Sequence, residues 1–168
     1  TLIKKVYVPK YIFPLEKCLF ALENFIFSLI AVVIVMLFQR FVPPATALLF
    51  FIPVLYCFVF SVGIGLILSA LAVFFRDVVH LYSIVLTIWM YITPIIYPIE
   101  VVQDSALIYG IIQCNPMYYY VGYFRDLLMY NTIPDLRFNL ICIAFSLGAL
   151  ALGLLVFKKT QDKFILHI

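Results

Sequence analysis

The chain has 168 residues, 67% of them hydrophobic and 11% charged, with a mean hydropathy of +1.18. A soluble domain is about half apolar and about a quarter charged, so this chain cannot coat a water-facing surface, and its high hydrophobicity and low charge exclude disorder as well. The net charge of +3 includes no dense basic block of the kind a nucleic-acid binder uses, which leaves an integral membrane protein.

At roughly 20 apolar residues per crossing, this length holds about four to six spans with their loops. Residues 1–17 are basic and punctuated by proline, with Lys4, Lys5, Lys10 and Lys17 facing a single acid, Glu16. The composition predicts a segment at the membrane surface, with short helical pieces broken at Pro9 and Pro14. A first span is expected over 19–38, closed by Gln39-Arg40 and a turn at Pro43-Pro44. No charge occurs in the 35 residues from Phe41 to Phe75. Prolines 43, 44 and 53 make the early part of this stretch irregular or kinked, and the second span is placed at 48–75. Ser61, Gly65 and Ser69 recur at four-residue spacing along it, a small-residue stripe that lets another helix approach.

Arg76-Asp77 makes a short polar break before a third span, 78–97, which ends in Thr93-Pro94 and Tyr97-Pro98. The uncharged run from Ser105 to Phe124 is interrupted by Gly110, Gln113 and Asn115-Pro116. Neither half is long enough to cross, which predicts a re-entrant helical hairpin over 99–125, turning at Asn115-Pro116. Bare backbone at that depth requires cover from protein or a wet cavity. A last span, 138–157, carries Ala149 and Gly153 at small-xxx-small spacing and is followed by Lys158, Lys159 and Lys163. The expected fold is all-α and polytopic: a single transmembrane domain over 1–168, with four spans and the hairpin near the external side. With 1–17, the 76–77 loop and the tail on one side, eight of the eleven basic residues share that side. The positive-inside rule then places both ends of the chain in the cytoplasm.

The chemistry of a membrane enzyme is missing from this pattern. Cys18, Cys57, Cys114 and Cys142 form no CxxC pair and have no His at zinc-ligand spacing, so neither a disulfide nor a metal site is inferred. Asp77 and His80 share a helix face, which fits an interfacial pair at the end of a span better than a metal or proton site. Glu23 is the one acid within a span; it lies about one turn inside a basic edge, where a lysine or water can meet it. There is no GxSxG, HExxH or Walker lysine loop.

Four stretches carry a resemblance: LIKKVYVPKYIFP (2–14), GIGLILSALAVFFRDV (63–78), TPIIYP (93–98) and NPMYYYVGYFRDLL (115–128). In this order they resemble the permease subunit of type-2 ABC exporters that carry polysaccharides, namely the O-antigen, capsule and teichoic-acid export permeases of the bacterial cytoplasmic (inner) membrane. Complete permeases of that family have an interfacial helix and two more spans upstream, so the resemblance favours the C-terminal part of such a protein over removal of an initiator Met. Lys10-Tyr11, where the family often has Arg-Glu, and Glu23, in a stretch usually apolar there, depart from the pattern.

The resemblance implies a pair of permeases working with two copies of a separate ATPase subunit, which binds ATP and Mg; no cofactor is expected in this chain itself. It implies a coupling role towards that ATPase for Lys4, Lys5, Tyr7, Pro9, Lys10, Pro14, Arg76 and Asp77. A lysine belt and a tight polar turn are the plainer readings of the same residues. It implies gate helices over the hairpin, with Tyr91, Tyr97, Tyr118, Tyr119, Tyr120, Tyr123 and Phe124 along a glycan path. Tyrosine rings suit that task because sugars present C–H faces beside their hydroxyls, although an aromatic interface belt has the same composition. The expected partners are the ATPase subunit, a second permease, a lipid-linked glycan and the bilayer, with no nucleic acid. A type-2 permease for drugs or lipids, a membrane-embedded glycan- or lipid-assembly enzyme, and a non-catalytic assembly subunit are the competing readings.

Overall fold

A computed structural model of the chain describes residues 11–75, 77–95, 97 and 105–160. Every regular element among them is helical. In chain order these are α1 (Ile12–Phe38), a short 3-10 helix (Ala45–Phe50), α2 (Phe51–Phe74), α3 (Val78–Ile92), α4 (Ala106–Gln113), α5 (Pro116–Leu128) and α6 (Leu136–Thr160). Among the described residues three helical stretches are long and apolar enough to cross a membrane: Ile12–Phe38, Ala45–Phe74 and Leu136–Thr160.

α1 begins seven residues earlier than the expected span. Pro14 does not break it, because it lies in the first turn, where a helix has no use for the missing N–H. The helix buries none of its residues, and Phe38 at its end is 86% exposed. A surface this apolar needs lipid or other helices around it. Two of its polar side chains are satisfied within the helix: Asn24 Nδ2 donates to the Phe20 carbonyl and Ser28 Oγ to the Asn24 carbonyl, both at 2.9 Å. α1 ends in a Schellman motif, with Arg40 N–H bonded to Leu37 O and Phe41 N–H to Met36 O. Arg40 holds the left-handed position (φ 53°) that glycine usually fills.

The expected irregular start of the second span takes the form of the 3-10 helix, which passes into α2 just before Pro53. α3 is shorter than the expected span 78–97. Thr93 precedes a proline and is pushed to an extended conformation (ψ 122°), which ends the helix at Ile92. Its 15 residues rise about 22 Å, less than the ~30 Å of a hydrocarbon core. Two short helices, α4 and α5, stand where the hairpin was expected, with Asn115-Pro116 between them.

The chain divides into two compact units. The first comprises Thr1–Val42, Phe58–Arg76 and Gly148–Ile168. Its core is Leu66, Ala70 and Phe157, packed with Val62, Val73, Phe74, Leu150 and Val156. α2 and α6 touch backbone to backbone here. A Cβ at Gly63 would stand 2.5 Å from Ala149 O and Leu150 N, and one at Gly153 would meet the Gly63 carbonyl. The opposite face of α2 meets α1: Cys18 Sγ is 3.7 Å from the Ser61 carbonyl and packs against Gly65. Ser69 bonds within its own helix, to the Leu66 carbonyl.

The second unit comprises Pro43–Cys57 and Asp77–Leu147. It contains the 3-10 helix, α3, α4 and α5 whole, together with the start of α2 and the first half of α6, and it holds the candidate site.

Candidate functional site in the helical hairpin

α5 is built to be buried on one stripe. Pro116, Tyr120, Tyr123 and Leu127 recur at the i, i+4, i+7, i+11 spacing of one helix face, and all four are buried. Its start is fixed locally: Asn115 caps the helix by accepting from Met117 N–H at 3.0 Å, and Pro116 occupies the first position, where its lack of an N–H costs nothing.

The same Asn115 closes a directional polar ring with the end of α3. Trp89 Nε1 donates to Asn115 Oδ1 at 2.8 Å, Asn115 Nδ2 donates to Thr93 Oγ1 at 2.8 Å, and Thr93 Oγ1 donates to the Trp89 carbonyl at 2.9 Å. The indole has only a donor to offer, so the amide oxygen must face Trp89 and the amide nitrogen Thr93. Asn115 is 7% exposed and Thr93 2%, so each lost bond would strand a buried polar group. Arg125, in the last turn of α5, adds a second tie by donating from Nη2 to the Ile95 carbonyl at 2.9 Å.

The other side of α5 is laced to α2, α6 and the 3-10 helix. Ser146 Oγ lies 2.8 Å from the Cys142 carbonyl and 2.9 Å from the Tyr56 carbonyl. Its single proton serves these acceptors, so the Tyr120 hydroxyl, 2.8 Å away, is the donor to Ser146. Tyr56 donates to Asn139 Oδ1 at 3.0 Å, and Asn139 Nδ2 donates to the Tyr123 hydroxyl at 3.1 Å. Thr46 donates to the Leu127 carbonyl at 2.7 Å and lies 3.0 Å from the side chain of Asn131, a residue in the left-handed region (φ 52°).

These bonds redistribute the expected aromatic path. Tyr120 and Tyr123 are 3% and 2% exposed and their hydroxyls are engaged, so they belong to the core of this unit and offer a glycan no surface. Tyr118 and Tyr119 are half-buried neighbours, ring centroids 5.1 Å apart and edge-on, and Tyr119 continues the aromatic row to Phe138 at 5.2 Å and Phe145 at 5.8 Å. Phe124 is half-buried, and Tyr91 is 65% exposed. The Tyr97 hydroxyl bonds back to the end of α3, at 3.0 Å from the Tyr91 carbonyl. A cavity of about 340 Å³ lies between Ile88, Tyr91 and Ile92 of α3 and Ile108, Ile111 and Ile112 of α4, with Tyr97 completing its lining.

Of the residues expected to couple to an ATPase, Lys4, Lys5, Tyr7, Pro9, Lys10 and Arg76 lie outside the described residues. Pro14 is in the first turn of α1, and Asp77 is exposed just before α3, whose N-terminus its side chain does not cap. His80 is also exposed, and no three potential metal-binding side chains converge among the described residues. Ser61 and Gly65 face α1, while Ala149 and Gly153 meet Gly63 of α2. Gly63, Tyr56, Asn139, Ser146 and the Trp89–Thr93 pair were not singled out from the sequence. Only the last had a readable signal, two polar-tipped residues four apart on one face of an apolar helix.

The sequence model of the ABC-2 type transporter family matches residues 5–129. The chain is 27% identical over 163 residues to the O-antigen export system permease protein RfbA of Myxococcus xanthus, an alignment covering 97% of this chain and 63% of that protein. It is 29% identical over 167 residues to a protein of the same name from Klebsiella pneumoniae, covering 97% of this chain and 62% of that one. The chain thus spans less than two thirds of the length of these curated relatives.

Proposed function

The chain belongs to the ABC-2 type transporter family, and from that premise we propose that it is the membrane-spanning permease subunit of an ATP-driven exporter. Its cargo is a lipid-linked polysaccharide of the O-antigen, capsule or teichoic-acid type. The observation that carries the proposal is its similarity, along 97% of its length, to proteins named O-antigen export permeases. ATP and Mg belong to a separate ATPase subunit, and the permease works as a homodimer in the bacterial cytoplasmic (inner) membrane.

In this reading α3 belongs to a fourth crossing, and α4–α5 is a re-entrant gate near the external surface. The excess of basic residues at 4–17, 76 and 158–163 supports cytoplasmic ends. The segment 1–17, with Lys4, Lys5, Tyr7, Pro9, Lys10 and Pro14, docks on the ATPase together with the Arg76-Asp77 turn. Prolines limit the backbone states to be ordered, the tyrosine offers an anchor, and lysines steer the encounter.

Tyr91, Tyr97, Tyr118, Tyr119 and Phe124 form the part of the aromatic set that a sliding glycan meets. ATP-driven movement of the coupling segment shifts the spans and opens a lateral path for the lipid carrier. A deletion strain tests the proposal: lipid-linked polymer should accumulate on the cytoplasmic face and return to the surface when the gene is restored. Normal surface polymer in the deletion strain would refute it.

A further inference from the structure

We propose that Trp89, Thr93 and Asn115 are positioning residues that make the α4–α5 turn a fixed pivot about which α4 moves. The inference rests on reading the hairpin as an exporter's gate, and it says which half of the hairpin is frame and which half is moving part.

The two halves are held very differently. α5 is tied at its start by the Asn115 ring, near its end by Arg125 to Ile95, and along its buried stripe by Tyr120 to Ser146 and Tyr123 to Asn139. The Asn115–Thr93 and Tyr120–Ser146 bonds among these are buried, where breaking one strands a polar group, so they hold α5 in one geometry. Among the described residues of α4 only Ile112 is buried. Leu107 is 83% exposed, Ile108 and Ile111 about half, and a Cβ at Gly110 would meet nothing within 4 Å. The side chain of Tyr109 is hydrogen-bonded to that of Tyr118, a tie from α4 to α5. Towards α3, α4 faces the apolar cavity of about 340 Å³, space into which it can shift at the cost of the Tyr109–Tyr118 bond alone among the side-chain bonds described. Movement of α4 therefore needs a turn that stays put, and Asn115 holds that turn. Its one amide both caps α5 and grips α3, so the pivot cannot slide along either helix.

The test uses the full-length permease in complex with its ATPase, in lipid nanodiscs, followed by amide hydrogen exchange and by export per ATP hydrolysed. In the wild type, α4 amides (106–113) should exchange at least tenfold faster than those of α5 (117–128). Thr93→Val, which keeps shape and removes the hydroxyl, and Trp89→Phe, which removes the indole N–H, should speed exchange in the first turn of α5 about tenfold. Both should lower export per ATP about tenfold, with complex yield unchanged. Thr93→Ser, which keeps the hydroxyl, should stay within twofold of wild type. Equal exchange of α4 and α5 in the wild type, or unchanged α5 exchange in both variants, would overturn the pivot. So would loss of protection spread over α1, α2 and α6, which would make the cluster a folding element. If the wild-type complex moves no glycan, the exporter reading fails, and the exchange arms still decide the pivot.

Discussion

Replacing Gly63 with alanine probes the backbone crossing of α2 and α6. The new Cβ would stand 2.5 Å from Ala149 O and Leu150 N, about 0.9 Å inside the 3.4 Å at which ordinary contact begins. Those atoms are backbone, so no side chain can swing away and the helices must separate. Overpacking of this kind costs about 1–3 kcal/mol. A gap of about 0.5–1 Å also forfeits a quarter to a half of each dispersion contact along the seam. The rigid obstacle argues for the upper end of that cost, against which alanine's better helix propensity returns about 1 kcal/mol. The expected net effect is a loss of about 2 kcal/mol. Gly148→Ala is the control on the same α6: its Cβ meets nothing within 4 Å, so it should be neutral or stabilising by up to about 1 kcal/mol. Reversible unfolding of the purified full-length permease, monitored by circular dichroism, separates the two. Equal stabilities for Gly63→Ala and Gly148→Ala would refute the crossing geometry.

Ser146→Ala should destabilise the permease by about 1–2 kcal/mol in the same assay, because the buried Tyr120 hydroxyl loses its acceptor, and Tyr120→Phe in that background should recover part of the loss. Cys114 is exposed and Cys142 is fully buried, so a small maleimide should label Cys114 and leave Cys142 unmodified in the native complex, as read by mass spectrometry. Tyr119→Ala should slow glycan export severalfold with the complex intact, whereas Tyr123→Ala should lower the amount of folded permease, because Tyr123 is packed in the core. Tyr7→Ala with Lys10→Ala should weaken co-purification of the ATPase subunit, and an undiminished complex would remove these residues from the coupling surface.

What the sequence reveals here follows from where its constraints are local. Helical content, the long apolar stretches and the Asn115-Pro116 turn are legible because each rests on composition or on adjacent residues. The end of α3 is a near miss of the same kind: Thr93-Pro94 is in plain view, and its effect falls at Thr93 itself. The phase of α2 is not legible. A helix apolar on every side has no polar face to orient it, so the Ser61/Gly65/Ser69 stripe stands out although the tightest approach is at Gly63, on the opposite face. The Tyr118-Tyr119-Tyr120 run hides a split between half-buried and buried rings that only the partners decide. Ser146 and Asn139, which claim Tyr120 and Tyr123, lie 26 and 16 residues away in sequence. The Asn115 ring likewise joins residues 22 and 26 apart, and no local pattern announces it.

The role proposed for the chain is that of the permease of a polysaccharide exporter driven by a separate ATPase. The most direct measurement is co-expression of the full-length permease with its candidate ATPase subunit, followed by ATP hydrolysis by the purified complex in nanodiscs with and without lipid-linked glycan. A stable complex is expected, whose hydrolysis rises severalfold with lipid-linked glycan and stays flat with the lipid carrier lacking its sugar chain. A permease that binds no ATPase, or a complex indifferent to the glycan, would contradict it.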